Sequence, residues 1–134
     1  MNLRESSLPA GWYPRNPSEI SRFLSGFPEG TARAAIAPHA GWFYSGKIAA
    51  RAVASLDRTI ETLAVIGGHL PPGYPPLFAP EDAVSTPLGN MGMDNALRTA
   101  LFRELDGKED HFPDNTVEVL LPMARFFFPH ASLT

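Results

Sequence analysis

The sequence predicts an α/β fold, a parallel or mixed sheet flanked by helices, and three observations carry that prediction. Two apolar runs, ARAAIA (32–37) and TLAVIG (62–67), each lead into a turn that contains glycine and histidine. Between them, GKIAARAVASL (46–56) places Ile48, Ala49, Ala52, Val53 and Leu56 at helical spacing, which makes one apolar face. Strand, helix, strand in that order is a βαβ unit, for which a right-handed crossover and parallel strands are expected. The chain has 134 residues, the size of one domain, so 1–134 is read as a single unit.

Each element follows from local chemistry. Asn16-Pro17-Ser18-Glu19 reads as a helix start, because Asn caps free amides, Pro suits the first helical position and Glu falls three residues after the cap. Ile20, Phe23 and Leu24 give that helix its apolar face, and Gly26 and Pro28 end it. The run 32–37 is taken as a strand because Pro38 disfavours helix immediately before it. Residues 71–80 (PPGYPPLFAP) hold five prolines and a glycine and read as a rigid loop anchored by Tyr74, Leu77 and Phe78. Ala83 to Thr86 reads as a short strand before the turn at 87–90, and 94–105 as a helix with Leu97, Ala100, Leu101 and Leu105 inward. Residues 106–114 read as a polar loop. A last helix over 116–128, capped by Asn115 with Glu118 completing a capping box, is apolar almost all round and so demands burial on more than one side. Pro122 is expected to kink it. The sequence stops at HASLT, where the alternating pattern expects another strand, so the fold is read as incomplete at its C-terminus.

Composition narrows the function classes. Net charge is −3 and no Lys/Arg block occurs, which argues against nucleic acid and acidic membrane surfaces as partners. No cysteine is present, so this chain offers neither disulfides nor thiolates, in keeping with a reducing compartment. The N-terminus lacks a signal-like apolar core and no apolar run approaches the roughly 18 residues of a membrane span, so a cytoplasmic location is expected.

The residues with chemical potential gather at the predicted strand ends. Ligands of open parallel sheets bind outside the carboxyl ends of the strands. His39 follows the first run and His69 the second, so both are expected at that edge, where two imidazoles make half of a metal site. Either histidine is equally readable as a loop residue bonded to backbone or water. Mononuclear iron of the two-histidine, one-carboxylate type needs a third ligand, and Asp82, Asp114 and Glu118 are the carboxylates available, each also explained by capping or solvation. His111 and His130 read as exposed. Trp12, Tyr13, Trp42, Phe43 and Tyr44 crowd two glycine turns, either as packing or, for Trp12 and Tyr44, as pocket walls beside His39. Nucleotide-loop, serine-hydrolase and HExxH patterns do not occur.

Several stretches together resemble the Memo family, the middle component named in the AmmeMemoRadiSam gene grouping. They are AGWYPRNPSEISRFL (10–24), APHAGWFYSGKIAARA (37–52), AVIGGHLPP (64–72), STPLGNMGMD (85–94) and DNTVEVLLPMARFFFP (114–129), in the family's order over nearly the whole chain. The resemblance implies a fold similar to class III extradiol dioxygenases of the LigB type, here its N-terminal half. It implies His39 and His69 as two of three ligands to a divalent metal, iron first, with copper or zinc as alternatives, and Trp12, Tyr13, Tyr44 and Asn115 near the pocket. In the family the third ligand lies in the C-terminal half, and Asn115-Thr116-Val117-Glu118 stands where some members read HS-x-E. A Memo-like metal-binding protein, with metal-dependent oxidoreductase chemistry left open, is therefore the first expectation. The alternatives are a non-catalytic module for a small-molecule, peptide or anionic ligand, and a half-fold completed by a partner chain or a dimer.

Overall fold

The computed structural model describes every residue except Pro113. Its elements are β1 (Leu3–Arg4), α1 (Pro17–Leu24), α2 (Trp42–Ala54), β2 (Thr62–Leu63), β3 (Leu77–Phe78), β4 (Ala83–Val84), β5 (Met91–Gly92), α3 (Asn95–Glu104), β6 (Lys108–Glu109), α4 (Asn115–Glu118), α5 (Leu121–Phe127) and β7 (Ser132–Leu133). The fold is mixed α/β, as predicted, with short strands in three small sheets: β1-β4-β5, β2-β7 and β3-β6. The pairs β1/β4, β2/β7 and β3/β6 are parallel, whereas β4/β5 is antiparallel.

Helices α1, α2 and α5 build the main core. The Asn16 side chain accepts from the Ser18 and Glu19 amides, which starts α1 where the sequence places it. Ile20 and Leu24 of α1, Ala49 and Ala50 of α2 and Met123 of α5 pack together with Phe128. Helix α2 begins at Trp42, four residues before the predicted start, because the Trp42 amide bonds the Trp12 carbonyl (2.8 Å) and its indole donates to the Val119 carbonyl (2.9 Å). Trp42 continues the buried stripe of Gly46, Ala49, Ala50 and Val53 by one further turn, and its burial sets the helix boundary.

The βαβ unit departs from expectation. Of the run 32–37, only Ala32 makes a bridge, to Leu56, and residues 33–39 form no ladder. The run 62–67 contributes only Thr62–Leu63 to a strand, paired with the terminal strand β7 rather than with 32–37. Local apolarity made both runs look buried, yet Ile36 is 98% and Ile66 91% exposed, since no neighbouring strand covers them among the described residues.

Other corrections have equally specific causes. The predicted loops 71–80 and 106–114 contain β3 and β6, which pair with each other. Of the predicted inward positions of this helix, Leu97, Ala100 and Leu105 are exposed and Leu101 is half-buried, and no residue of α3 is fully buried. The final helix breaks into α4 and α5 rather than bending, because Pro122 takes an opening position of α5 and lacks the amide that would continue α4. Asp114, not Asn115, caps α4. Burial of Leu121, Pro122, Met123, Ala124 and Phe127 meets the expectation that this apolar segment is enclosed on several sides.

Candidate functional site

Two loops, PHAG and IGGH, bring His39 and His69 together. Their ring centroids are 5.4 Å apart at an interplanar angle of 73°, and both side chains are open to solvent. The pairing arises without a shared ladder, so something other than strand register holds the loops.

That support comes from the start of α4. The Asp114 carboxylate receives the Thr116 amide (2.7 Å) and the Thr116 hydroxyl. Its other oxygen, Oδ2, lies 3.7 Å from His69 Nδ1. The next residue, Asn115, donates from Nδ2 to the His39 carbonyl (3.3 Å). Glycine is needed at two positions here. A Cβ on Gly67 would stand 2.3 Å from Thr116 Oγ1, and Gly68 holds φ +129°, where side chains are strained. Burial pushes the Asp114 carboxyl up, but the Thr116 hydroxyl and amide and then the His69 imidazole outweigh it, leaving it below the usual carboxylate range.

The other predicted residues are placed less centrally. Tyr13 is buried in the main core against Trp42, and its hydroxyl lies within hydrogen-bond distance of Ser6, Glu118 and Arg15. Trp12 is partly exposed and meets the PHAG turn through its backbone carbonyl. Tyr44 is 82% exposed and its ring contacts Phe43 edge-on, on the outside of α2. Asp82 accepts from the Asn2 amide (2.8 Å). His111 pairs with Glu109 (3.1 Å), and His130 is exposed.

Glu118 is not a capping-box residue. It accepts from the Ser6 hydroxyl, the Ser7 amide and hydroxyl, the Leu8 amide and the Tyr13 hydroxyl, pinning the N-terminal segment to α4. Burial raises its carboxyl, and the donors from Ser7, Leu8 and Ser6 overcome that and lower it. Sequence reasoning missed this hub because its donors lie 105 to 112 positions away. The resemblance implies Asn115 near the pocket, and Asp114 is one of the carboxylates considered as a third ligand; what the sequence does not show is that Asn115 meets the His39 backbone and Asp114 the side of the His69 ring.

Among the described residues, no group of three or more His, Cys, Asp or Glu side chains is arranged to hold a metal ion. The histidine pair does meet a simpler geometric demand. An ion about 2.0–2.1 Å from an imidazole nitrogen lies roughly 3.2 Å from the ring centroid, so two rings at a tetrahedral angle have centroids about 5.2 Å apart. The 5.4 Å found here is equally the spacing of an ordinary edge-to-face ring contact; it sets the separation of the rings and not which nitrogens face each other. Beside His39 runs a groove of about 400 Å³, with Ile36 and Ile66 on its sides and Val53, Leu56 and Leu120 also lining it. No described helix is long and apolar enough to cross a membrane.

Comparison with known proteins agrees with the motif reading. Residues 4–133 match the family described as Memo-like protein. A MEMO1 family protein of Thermoplasma acidophilum is 30% identical, over 93% of this chain and 51% of its own length. Protein MEMO1 of Danio rerio is 31% identical over 91% of this chain and 45% of its own, and a MEMO1 family protein of Methanosarcina mazei 27% identical over 96% and 51%. The chain therefore spans about half the length of these relatives.

Proposed function

This chain belongs to the Memo family, and on that premise we propose that it binds a divalent metal through His39 and His69, as part of a scaffold for metal-dependent oxidoreductase chemistry of the LigB type. The observation that carries the reading is the 5.4 Å separation of two exposed imidazoles held on separate loops. Neutral imidazole suits iron, copper and zinc, and iron is the ion proposed first. Bound iron would supply Lewis-acid and redox chemistry and leave positions open for a small-molecule ligand. The chain's own residues bind and orient: two imidazoles hold the ion, and the groove beside His39 offers an apolar wall to the ligand.

Two protein ligands without a third give weak binding, so remaining positions are filled by water, by the ligand or by another polypeptide. Anaerobic titration of Fe(II) into wild type, His39→Ala and His69→Ala tests the reading. Each variant is expected to bind at least about tenfold more weakly, a loss of roughly 1.4 kcal/mol. Equal affinity and stoichiometry in all three proteins would overturn it.

One second reading is a non-catalytic module for a peptide or small anion, and the groove beside His39 gives a peptide a place to lie. Stabilisation by a phosphopeptide in the absence of metal, read as a thermal shift, supports that alternative. Stabilisation by metal alone counts against it.

A further inference from the structure

We propose that the first turn of α4 is a clip that sets the histidine pair, with Asp114 positioning the His69 imidazole and Asn115 positioning the His39 loop. Three separate contacts converge on this turn. Asp114 Oδ2 faces His69 Nδ1 at 3.7 Å, the Asn115 amide donates to the His39 carbonyl at 3.3 Å, and Thr116 is seated against Gly67, where a Cβ would collide at 2.3 Å. Consecutive residues thus touch both histidine loops, which share no backbone ladder. Among the described residues, the further polar side-chain contacts of these loops, Ser45 Oγ donating to the Ala40 carbonyl (3.4 Å) and the His69 backbone donating to the Asp114 carboxylate, hold backbone and not a ring.

The chemistry of the Asp114 contact is directional. At 3.7 Å the carboxylate lies beyond direct hydrogen-bond reach of Nδ1, so its charge acts through space, favouring the tautomer that carries its proton there and leaving Nε2 with a free lone pair. Asp114 is held in place for this task, since Thr116 occupies its other oxygen through amide and hydroxyl. Asn115 acts on backbone rather than on a ring, so it sets where His39 sits and not its tautomer. The assignment makes Asp114 and Asn115 positioning residues rather than ligands. The metal consequence rests on the function proposed above, whereas the tautomer can be read in metal-free protein.

The test is long-range ¹⁵N–¹H correlation of the imidazoles in metal-free wild type, Asp114→Asn, Asp114→Ala and Asn115→Ala, paired with Zn(II) titration of each. Wild-type His69 is expected to carry its proton mainly on Nδ1, and Asp114→Asn to return it toward the Nε2–H preference of a free histidine. Asp114→Asn keeps an oxygen able to cap Thr116, so this change reports the lost charge and not a lost helix. Zn(II) affinity is expected to fall about 10- to 100-fold, in the range seen when outer-shell partners are removed. Asn115→Ala is expected to weaken ring-to-ring NOEs between His39 and His69 while leaving the His69 tautomer unchanged. A wild-type His69 with the free-histidine tautomer ratio, or one indifferent to Asp114→Asn, would overturn the clip. An Asp114-dependent tautomer in a protein that binds no metal would retain the clip and remove the metal function. Metal binding with a tautomer indifferent to Asp114 would do the reverse.

Discussion

The helical core and the histidine edge divide the same kinds of residue very differently. In the core, Ile20, Leu24, Met123 and Phe128 are fully enclosed by three helices. At the edge, Ile36 and Ile66 stand almost wholly in water on segments that join no sheet. The core is secured by many apolar contacts, each small and together large. The edge is held by a few directed contacts from α4, and those contacts fix the two histidines. Stability and geometry are therefore supplied by different parts of the molecule, and mutations should separate them.

The largest separation is expected from truncating apolar side chains. Phe128→Ala should destabilise by about 3–5 kcal/mol, the usual cost of an emptied aromatic site in a core. Ile36→Ala and Ile66→Ala should stay within about 0.5 kcal/mol, since neither is buried. Urea denaturation reads both, and a cost at Ile36 equal to that at Phe128 would erase the contrast.

Next in size is Gly67→Ala, which drives a methyl into Thr116 Oγ1 and Cβ at 2.3 and 2.9 Å. Overpacking of this kind costs about 1–3 kcal/mol, and here it should also disturb the His39–His69 NOEs. Gly92→Ala is the control: a Cβ there meets nothing within 4 Å, and its stability should be nearly unchanged.

A smaller effect concerns pH. The Glu118 carboxyl is lowered in the folded state, so its contribution is fully present above the unfolded carboxylate pKa and is lost as pH falls through the folded value. Glu118→Gln should therefore flatten the acid limb of the stability curve, with little further change in slope above the carboxylate range. An acid limb identical in wild type and variant would show that the Ser6–Ser7–Leu8 donors do not favour the ionised form. Smallest is Asn16→Ala, expected to cost about 1 kcal/mol by removing the cap of α1, and to leave the histidine edge untouched.

Legibility in the sequence followed the range of the interactions. The cap of α1 was readable because Asn16 and its acceptor-seeking amides lie within three residues. The proximity of His39 and His69 was also anticipated, but through a βαβ ladder that the structure does not contain. The contacts that bring them together involve α4, whose Asn115 lies 76 positions from His39. Glu118 illustrates the same limit: a capping-box spacing described it locally, while distant donors determined its partners.

By itself the sequence determined the mixed α/β class, the start of α1, the enclosure of the apolar α5 segment, the family and the two turns that carry His39 and His69. Those features depend on neighbouring residues, on periodicity or on quoted motifs, all of which are written along the chain. Only the tertiary structure decided that the apolar runs 33–37 and 64–67 lack a common ladder, that Pro122 splits a helix in two, and that α4 holds both histidine loops. Apolarity favours burial but does not name the surface that provides it, and a carboxylate or amide finds its partner by position in space rather than by distance along the chain.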